Sequence, residues 1–500
     1  MTDYVPERPS NRPKRPSMSR RLALIIGAVI GAGGVTMLPS VLVSLAYGER
    51  GTAGGIALAS TITMGLGWGL WRFFGRSGVI TSKEAFASVG LAWFALSAVG
   101  VLPYLMTGSI PSVTNAFFET ASGFTTTGAS VVPDPALLPK GILFWRSTTQ
   151  WVGGMGVIVL SIAILPLLGA GGVQLARAES PGPQPDRLTP RFQETAKRLW
   201  LLYAAITTVQ VMLLWVGDMN LFEAINHSFT TMSTGGFGVR ADSIVGYSAY
   251  SQWVITLFMF IAGASFTVHY RALRDPLAYR KSPEFILYAI ICLVAIVVVT
   301  GGLIGPDAQV GTSIREGSFT VMSIVTTTGF ATADFAQWRP ALQILIVGLM
   351  FIGGMAGSTA GGVKVFRMGI LSKAARADVK RLVHPRGVFV IRFGKEPVRN
   401  DVVESIQSFF LFYMLIFMTG TFLLSFVDAN VAEELDLATT ASAVASALGN
   451  IGPGLGELGP MSNYLAIPSP GRWLLATLMI VGRLEIFPVA LLLTRDLWRR

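Results

Sequence analysis

Gly123-Phe124-Thr125-Thr126-Thr127-Gly128-Ala129 is the first of four short stretches that set polar residues and glycine between long apolar runs. Two of the others keep hydroxyl side chains before glycine, whereas the last does not. They are Met232-Ser233-Thr234-Gly235-Gly236-Phe237, Val325-Thr326-Thr327-Thr328-Gly329-Phe330 and Leu448-Gly449-Asn450-Ile451-Gly452-Pro453. We call these stretches phrases one to four. Four such loops between membrane helices predict a pore in which each phrase supplies one quarter of a ring of oxygen atoms.

The composition is that of a membrane protein. Hydrophobic residues make up 52% of the 500 residues, charged residues only 13%, and the mean hydropathy is +0.57. Soluble domains carry roughly 25% charged residues, and many apolar runs here reach the roughly 20 residues that cross a bilayer. The runs are continuous rather than alternating, which disfavours a β-barrel. The sequence therefore predicts an all-α polytopic membrane protein.

The charge and the rare residues exclude several classes of function. The net charge of +11 arises from Lys and Arg in alternate loops, which is typical of cytoplasmic loops rather than of nucleic-acid binding. The three His form no metal-binding pattern, and Cys292 lies in an apolar run as a packing thiol. No Walker A motif, dinucleotide fingerprint or catalytic triad is visible. We therefore expect no covalently bound cofactor, no nucleic-acid partner and no enzymatic activity.

The chain divides into a tail, a hairpin and four similar units. Each unit contains an apolar span, a short amphipathic segment, a phrase and a second apolar span. This pattern predicts two extra N-terminal helices followed by four pseudo-symmetric helix–pore-helix–filter–helix units around a central pore. The predicted segments are a cytoplasmic tail at 1–21, a two-helix hairpin at 22–83 and pore units at 84–175, 176–275, 276–376 and 377–500.

The loop charges predict the orientation of the units in the membrane. Lys and Arg, such as Arg187 and Lys197, are concentrated between the units, whereas the loops that hold the phrases carry Asp and Glu, such as Asp134 and Asp218. By the positive-inside rule both termini are cytoplasmic and the phrases enter from outside. An acidic outer vestibule is expected to concentrate cations.

The segment before each phrase has the properties of a re-entrant half-helix. It is only about 10 to 15 residues long, too short to cross the membrane. Its carbonyl end carries a partial negative charge, and glycine lets the following loop turn its carbonyl oxygens towards one axis. Such a ring replaces the hydration shell of a monovalent cation. A single phrase is better interpreted as an ordinary turn at the end of a broken helix, but four phrases in matching context favour a filter.

These units and phrases resemble the Trk/Ktr/HKT superfamily of potassium transporters over nearly the whole chain, and the N-terminal hairpin resembles the Trk branch. The resemblance implies potassium uptake through a homodimer in the bacterial inner membrane. It also implies a cytosolic RCK-type, TrkA-like regulatory subunit that binds ATP, ADP or NAD, so that this chain itself binds only the transported K+. One signature glycine falls in each phrase, and we assign these to Gly128, Gly235, Gly329 and Gly452.

The predicted K+-binding residues are the central residues of the four phrases. In phrase four Asn450 and Ile451 replace hydroxyl residues, so the ring is asymmetric. A glycine in every phrase resembles the potassium-conducting members, whereas some plant sodium carriers have serine in the first unit. The predicted set is Thr126, Thr127, Gly128, Ala129, Ser233, Thr234, Gly235, Gly236, Thr327, Thr328, Gly329, Phe330, Asn450, Ile451, Gly452 and Pro453.

The second span of unit three is interrupted by glycine. Each glycine destabilises a helix by roughly 1 kcal/mol relative to alanine, so this stretch either unwinds below the filter or packs closely against another helix. The resemblance implies that it is a gate. The predicted gate residues are Gly353, Gly354, Gly357, Ser358, Thr359, Gly361, Gly362, Lys364 and Arg483.

Arg483 lies in the middle of the last apolar run. A charge at this depth is costly unless it faces an aqueous cavity or a partner, so it is a functional candidate. The alternative is a structural ion pair near the cytoplasmic end. The resemblance implies that Arg483 lies beside the gate loop as an electrostatic barrier, to which Lys364 adds unless it extends to the inner surface.

Two other classes of function stay open beside potassium uptake down its electrochemical gradient. A symporter that couples K+ to H+ or Na+ needs a protonatable group near the pathway, and Glu119 is the candidate. A less selective monovalent cation transporter is a further alternative. A membrane-embedded enzyme would need a cluster of Asp, His or Arg at one interface, and the sequence contains none.

Overall fold

A computed structural model describes residues 18–74, 82–164, 190–305, 309–428 and 435–495. These residues are helical except for loops and one antiparallel ribbon, in which Arg392–Phe393 pairs with Glu396–Pro397. The predicted all-α class is therefore confirmed. Most of the predicted tail at 1–21 and the predicted boundary between residues 175 and 176 lie outside the described residues.

Two N-terminal helices precede the four units. Their backbones approach closely, since a Cβ built on Gly67 would lie 2.4 Å from the amide nitrogen of Gly31. Such contacts between small residues replace the hydrophobic effect in helix association within lipid. The carboxylate of Glu49 accepts hydrogen bonds from the amides of Lys140 (2.7 Å) and Gly141 (3.1 Å) and thereby attaches the hairpin to unit one. The hairpin helices are Met18–Thr36 with its continuation Leu38–Ala46, and Arg50–Phe74.

Each unit has a first helix, a half-helix and a second helix. The first helices are Ser82–Val99 with Leu102–Thr107, Pro190–Val216, Pro283–Leu303 and Asn400–Asp428. The half-helices are Val113–Phe124, Leu221–Met232, Val310–Val325 and Leu437–Gly449. The second helices are Lys140–Ile164, Ala249–Ala262 with Phe266–Ala272, Pro340–Met350 with Val365–Val383, and Ser469–Arg483 with Phe487–Leu493. The remaining elements are a short helix, Ala278–Lys281, and 3-10 turns at Pro135–Leu137, Phe335–Gln337, Gly456–Leu458 and Tyr464–Ala466.

The half-helices are short, and three of the four begin at a residue whose side chain accepts a hydrogen bond from a helix amide. They contain 12, 12, 16 and 13 residues, which at about 1.5 Å per residue is less than the roughly 30 Å hydrocarbon core. Asn220 and Glu223 form a capping box at the second half-helix, and Asp436 accepts from the Thr439 amide (2.8 Å) at the fourth. These caps satisfy amides that a helix start leaves without partners. The half-helices therefore begin near one surface and end inside the protein.

Three of the four second helices are broken. Six helices in the described residues are long and apolar enough to cross a membrane, and two further pairs pass the same test but bend by 98° and 116°. The second helices of units two and four are therefore broken rather than single continuous helices. The first bend follows Gly263, where a Cβ would lie 2.6 Å from the Tyr288 hydroxyl, and the second has Glu485 and Ile486 at positive φ.

Buried apolar side chains form two large clusters. One is built mainly by the hairpin and units one and four, and the other mainly by units two and three. The four phrases lie where the two halves meet, because Leu448 of unit four belongs to the first cluster and Ile451 of the same unit to the second. The core therefore surrounds the phrases and fixes their positions.

Candidate functional site: a ring of four phrases above a glycine loop

Every phrase begins with the same backbone turn. A residue one or two positions after the end of the half-helix is left-handed in all four units, although it is not glycine: φ is 53° at Thr126, 55° at Thr234, 57° at Thr327 and 56° at Asn450. Non-glycine residues rarely adopt this conformation. The next amide donates back into the half-helix, as in a Schellman motif. These bonds are Thr127 to Ser122 (2.9 Å), Gly235 to Thr230 (2.8 Å), Thr328 to Ser323 (2.8 Å) and Ile451 to Ser446 (3.0 Å).

The second phrase corrects our assignment of its signature glycine. Two residues after each left-handed turn comes a glycine with positive φ: Gly128 (86°), Gly236 (75°), Gly329 (83°) and Gly452 (112°). The equivalent residue in unit two is therefore Gly236, and the assignment to Gly235 is wrong by one position. Ser233 correspondingly lies before the turn, at the end of the half-helix. Gly235 matches Thr127, Thr328 and Ile451, and a Cβ there would lie 2.4 Å from the Gln150 side chain.

The four glycines close a ring. A Cβ on Gly128 would lie 2.2 Å from the Gly235 carbonyl oxygen, and one on Gly236 would lie 2.0 Å from that of Thr328. A Cβ on Gly329 would lie 1.9 Å from the Ile451 oxygen, and one on Gly452 would lie 2.8 Å from the Thr127 oxygen. Each phrase thus abuts the next in chain order, and the fourth abuts the first. Only glycine fits at these four positions.

Buried polar atoms surround the ring. Thr126, Thr234, Thr327 and Asn450 are all fully buried. The Asn450 amide donates to the Thr127 hydroxyl (3.0 Å) and to the Met479 carbonyl (2.8 Å), so it joins phrase four to phrase one. Within the described residues, Thr126 Oγ1 and Asn450 Oδ1 have no hydrogen-bond partner. Unpartnered buried oxygen atoms are costly unless an ion or water satisfies them.

The cavity above the ring differs from the expected acidic vestibule. It has a volume of about 100 Å³ and contains all four signature glycines in its wall. Its described lining residues include Arg146 and Arg240 but no carboxylate. Asp134 and Asp334 instead accept from the amides of Ala136 (2.9 Å) and Ala336 (3.2 Å) in 3-10 turns. Three further acidic residues of the loops that hold the phrases, Asp307, Glu433 and Glu434, lie outside the described residues.

Below the ring, the glycine stretch of unit three is an irregular loop between Pro340–Met350 and Val365–Val383. It contacts the ends of three half-helices. The Gly361 amide donates to Thr327 Oγ1 (2.7 Å), and Thr359 Oγ1 donates to the Met232 carbonyl (3.0 Å). A Cβ on Gly361 would lie 2.2 Å from the carbonyl oxygen of Gly449. The loop therefore lies directly against the inner side of the phrases.

Two neighbouring elements hold the outer edge of this loop. The Met355 amide donates to Gly263 (2.9 Å), and the Phe266 amide donates to Gly357 (3.1 Å), so the break in the second helix of unit two pairs with the loop. The Glu284 carboxylate accepts from the Ala356 amide (2.7 Å). The Lys364 ammonium is buried and donates to the Ala360 carbonyl rather than reaching the inner surface. Sequence reasoning missed Glu284, which lies at the start of an apolar span.

Arg483 lies beside the loop at the end of its helix. It is only 4% exposed, and Nη1 donates to the Thr359 carbonyl (2.7 Å). Its Nε and Nη2 have no partner within the described residues. Glu485 instead pairs with Arg367, at 2.5 Å. The ion pair expected near the cytoplasmic end is therefore formed by Arg367 and not by Arg483. Arg483 keeps unpaired donors beside the loop.

The second helix of unit one carries two functional candidates that sequence reasoning missed. Arg146 pairs with Glu119 at 2.7 Å, and both side chains are at most 2% exposed. Gln150 lies one turn further along and donates to the Gly235 carbonyl (2.7 Å). The signal was present, because Arg146 is a charge inside an otherwise apolar run.

The fold and site define a class: a polytopic helical membrane protein whose four repeated re-entrant loops meet in a ring. The family model described as "TrkH: Cation transport protein" matches residues 56–285 and 282–498. The chain belongs to this family, and the predicted superfamily resemblance is confirmed.

Several named relatives are similar to this chain over nearly their whole length. The Trk system potassium uptake protein TrkH of Halomonas elongata is 38% identical over 494 residues, which cover 97% of this chain and 100% of the relative. That of Escherichia coli K12 is 37% identical over 491 residues, covering 96% and 99%. The crystal structure of the potassium transporter TrkH from Vibrio parahaemolyticus has a TM-score of 0.88 at 36% identity and covers 97% of this chain and 100% of that one. These relatives are transporters, which confirms that the chain is not an enzyme.

Proposed function

We propose that this chain takes up potassium ions across the bacterial inner membrane, with the four phrases as selectivity filter and the loop at 353–362 as gate. The observation that carries this proposal is the closed cycle in which each signature glycine abuts the carbonyl oxygen of the next phrase. The names of the relatives, Trk system potassium uptake proteins, support K+ as the transported ion.

The filter acts through backbone oxygen. The four half-helices end at the phrases, so their partial negative charges favour a cation there. In each phrase the amide that follows the left-handed residue donates to a carbonyl of the half-helix. The carbonyl oxygens of the phrase are then available to replace the hydration shell of the ion. Within the described residues no group of three or more His, Cys, Asp or Glu side chains gathers where it could hold a metal ion. The proposed K+ ligands are therefore the phrase residues, with Gly236 as the signature glycine of phrase two.

The gate acts through position and charge. The loop contacts the half-helices below the ring, and the partly unpartnered guanidinium of Arg483 is bound to it through Thr359. A fixed positive charge in a buried site opposes the passage of a cation. Movement of the loop would shift the Arg483 contact and open the pathway at the same time.

We further propose a homodimer with both termini in the cytoplasm and an RCK-type, TrkA-like cytosolic subunit that reports nucleotide binding. The helix Val365–Val383 supports this regulation, because it begins where the loop ends and carries Lys373, Lys380 and Arg381. The Val365 amide donates to the Gly354 carbonyl (3.0 Å), so displacement of this helix would be felt by the loop.

Ion flux in liposomes that contain the purified full-length chain tests the proposal. We expect K+ uptake that follows the membrane potential, exceeds Na+ uptake and does not change with a pH gradient. Flux that depends on a pH or Na+ gradient would instead establish symport, and equal K+ and Na+ flux would establish a less selective transporter. Both oxygens of Glu119, the candidate group of the symport alternative, accept hydrogen bonds, from Arg146, Ser130 and Val131, which supports uptake without coupling.

A further inference from the structure

A buried network beside the ring joins phrases one and two. Its centre is the ion pair of Arg146 and Glu119, in which Arg146 Nε donates to Glu119 Oε1 (2.8 Å). A buried ion pair is weak support for stability, because desolvation offsets much of its attraction and apolar replacements are often neutral. The role of this ion pair is therefore better judged from the groups to which it is hydrogen-bonded than from its contribution to stability.

The ion pair contacts the backbone directly after each of the two phrases. On the side of phrase one, the Val131 amide donates to Glu119 Oε2 (3.0 Å) and Arg146 Nη2 donates to the Ser130 hydroxyl (3.1 Å). On the side of phrase two, Arg146 Nη1 donates to the Gly238 carbonyl (3.1 Å), and the guanidinium lies 4.2 Å from the centre of the Phe237 ring. One planar guanidinium thus spans both phrases.

Gln150 extends the same network by one helical turn. Its Nε2 donates to the Gly235 carbonyl (2.7 Å), and its Oε1 accepts from the Phe237 amide (3.1 Å). Residues four apart lie on one face of a helix, so Arg146 and Gln150 approach phrase two together. Their helix, Lys140–Ile164, is the unbroken one among the four second helices described.

The other phrases are held by fewer side-chain contacts of this kind. The Ala331 amide after phrase three donates to the Ser243 hydroxyl (3.1 Å), and the Tyr464 hydroxyl donates to the Gly452 carbonyl of phrase four (2.7 Å). Neither contact involves a charge. Among these contacts, only those between phrases one and two involve charged side chains.

We propose that Arg146, Glu119 and Gln150 are positioning residues that fix the distance between phrases one and two and thereby determine selectivity for K+ over the smaller Na+. This inference rests on the proposed filter. A ring whose edge is held by charge-assisted bonds to backbone cannot contract around a smaller ion without breaking them. Loss of the network would let the carbonyl oxygens approach Na+.

The test is the K+ to Na+ permeability ratio of the full-length chain in planar bilayers, taken from reversal potentials. Gln150→Met keeps a similar volume and removes both hydrogen bonds, and we expect it to lower the ratio about tenfold. Arg146→Lys keeps the charge but loses the fork, and we expect a smaller decrease. Gln343→Met is the matched control, because Gln343 also lies on a second helix and donates to two carbonyls, of Ala336 (2.6 Å) and Trp338 (2.9 Å), but contacts no phrase.

The ratio depends on the pore and not on the amount of folded protein, so a merely structural role would not change it. An unchanged ratio in folded Gln150→Met would overturn the inference, as would an equal decrease in Gln343→Met. If Gln150→Met does not fold, Arg146→Lys decides by the same criterion. Wild-type protein that shows no preference for K+ would instead contradict the proposed function, which is a separate result.

Discussion

The tripeptide Gly-Gly-Met occurs in the second helix of unit one at 153–155 and in that of unit three at 353–355, with opposite outcomes. In unit one the helix Lys140–Ile164 continues through it, and in unit three it lies in the loop. Gly153 packs on phrase one, since a Cβ there would lie 2.0 Å from the Phe124 carbonyl oxygen. Gly353 has a φ of 77° and faces its own loop, where a Cβ would lie 2.3 Å from the Gly361 oxygen.

The residues on the C-terminal side of the tripeptide account for the difference. In unit one the chain returns to apolar residues after Gly156, whereas in unit three it continues through Gly357, Ser358 and Thr359 to Gly361 and Gly362. Several glycines in sequence each cost the helix roughly 1 kcal/mol, and no apolar face remains to offset that cost. The same glycines thus permit close packing in one unit and a loop in another.

Units one and three are alike in their phrases, each of which contains a signature glycine at positive φ. The largest predicted effect concerns this shared glycine. Gly329→Ala places a methyl group 1.9 Å from the Ile451 oxygen at a φ of 83°, where alanine also costs about 1–2 kcal/mol. We expect the K+ to Na+ permeability ratio to fall by more than about tenfold. Gly348→Ala, at a helical glycine with no atom within 4 Å of its Cβ, is the control and should leave the ratio unchanged.

The next effect separates the gate from the filter. Arg483→Gln removes the positive charge beside the loop but keeps a donor for the Thr359 carbonyl. We expect K+ flux without any regulatory subunit to rise about tenfold at constant selectivity, because a fixed positive charge in a buried site repels a passing cation. Flux equal to wild type would refute the barrier. Arg198→Gln, at a half-exposed arginine paired with Glu194, is the control.

A smaller effect is expected at the edge of the loop. Glu284→Gln keeps an acceptor for the Ala356 amide but loses the charge, and a hydrogen bond to a charged group is stronger by about 1 kcal/mol. We expect the closed loop to weaken and basal K+ flux to rise about fivefold. Glu223→Gln changes the same residue type at the capping box of a half-helix and should not alter flux from the gate.

The smallest effect distinguishes the glycine stretch of unit three from that of unit one. Gly357→Ala adds a side chain at a φ of 76° with Ser265 Oγ 3.1 Å away, whereas Gly156→Ala adds one in a helix with Trp93 3.7 Å away. Because alanine at positive φ destabilises the described loop by about 1 kcal/mol, we expect basal flux to rise a few-fold in Gly357→Ala. It should stay at the wild-type level in Gly156→Ala, and an equal response in both would mean that the loop does not gate.

The sequence predicted the fold class because local signals agreed with the tertiary result. In a membrane, a long apolar run forms a spanning helix, and a short polar segment with glycine is tolerated only where it is buried in protein or lines a cavity. The assignment in phrase two failed because Gly235 and Gly236 are chemically identical, and only the positive φ of Gly236 shows which of them corresponds to the other signature glycines. The break after Arg483 left no local signal, since Ile486 is a β-branched residue at a φ of 64° and Glu485 finds its partner 118 residues away, in Arg367.

The contact between phrases four and one explains why phrase four differs in sequence from the other three phrases. Successive phrases are connected along the chain, but the last and the first meet without a direct covalent link. A Cβ built on Gly452 would lie 2.8 Å from the Thr127 oxygen, the longest of the four corresponding distances. A ring built from one linear chain needs non-covalent contacts where its last and first repeats meet. Asn450, which replaces a hydroxyl residue, supplies one by donating to Thr127, and Trp473 of unit four donates to Thr114 (3.1 Å) further out. The altered sequence of phrase four is therefore the feature that closes four consecutive repeats into a ring.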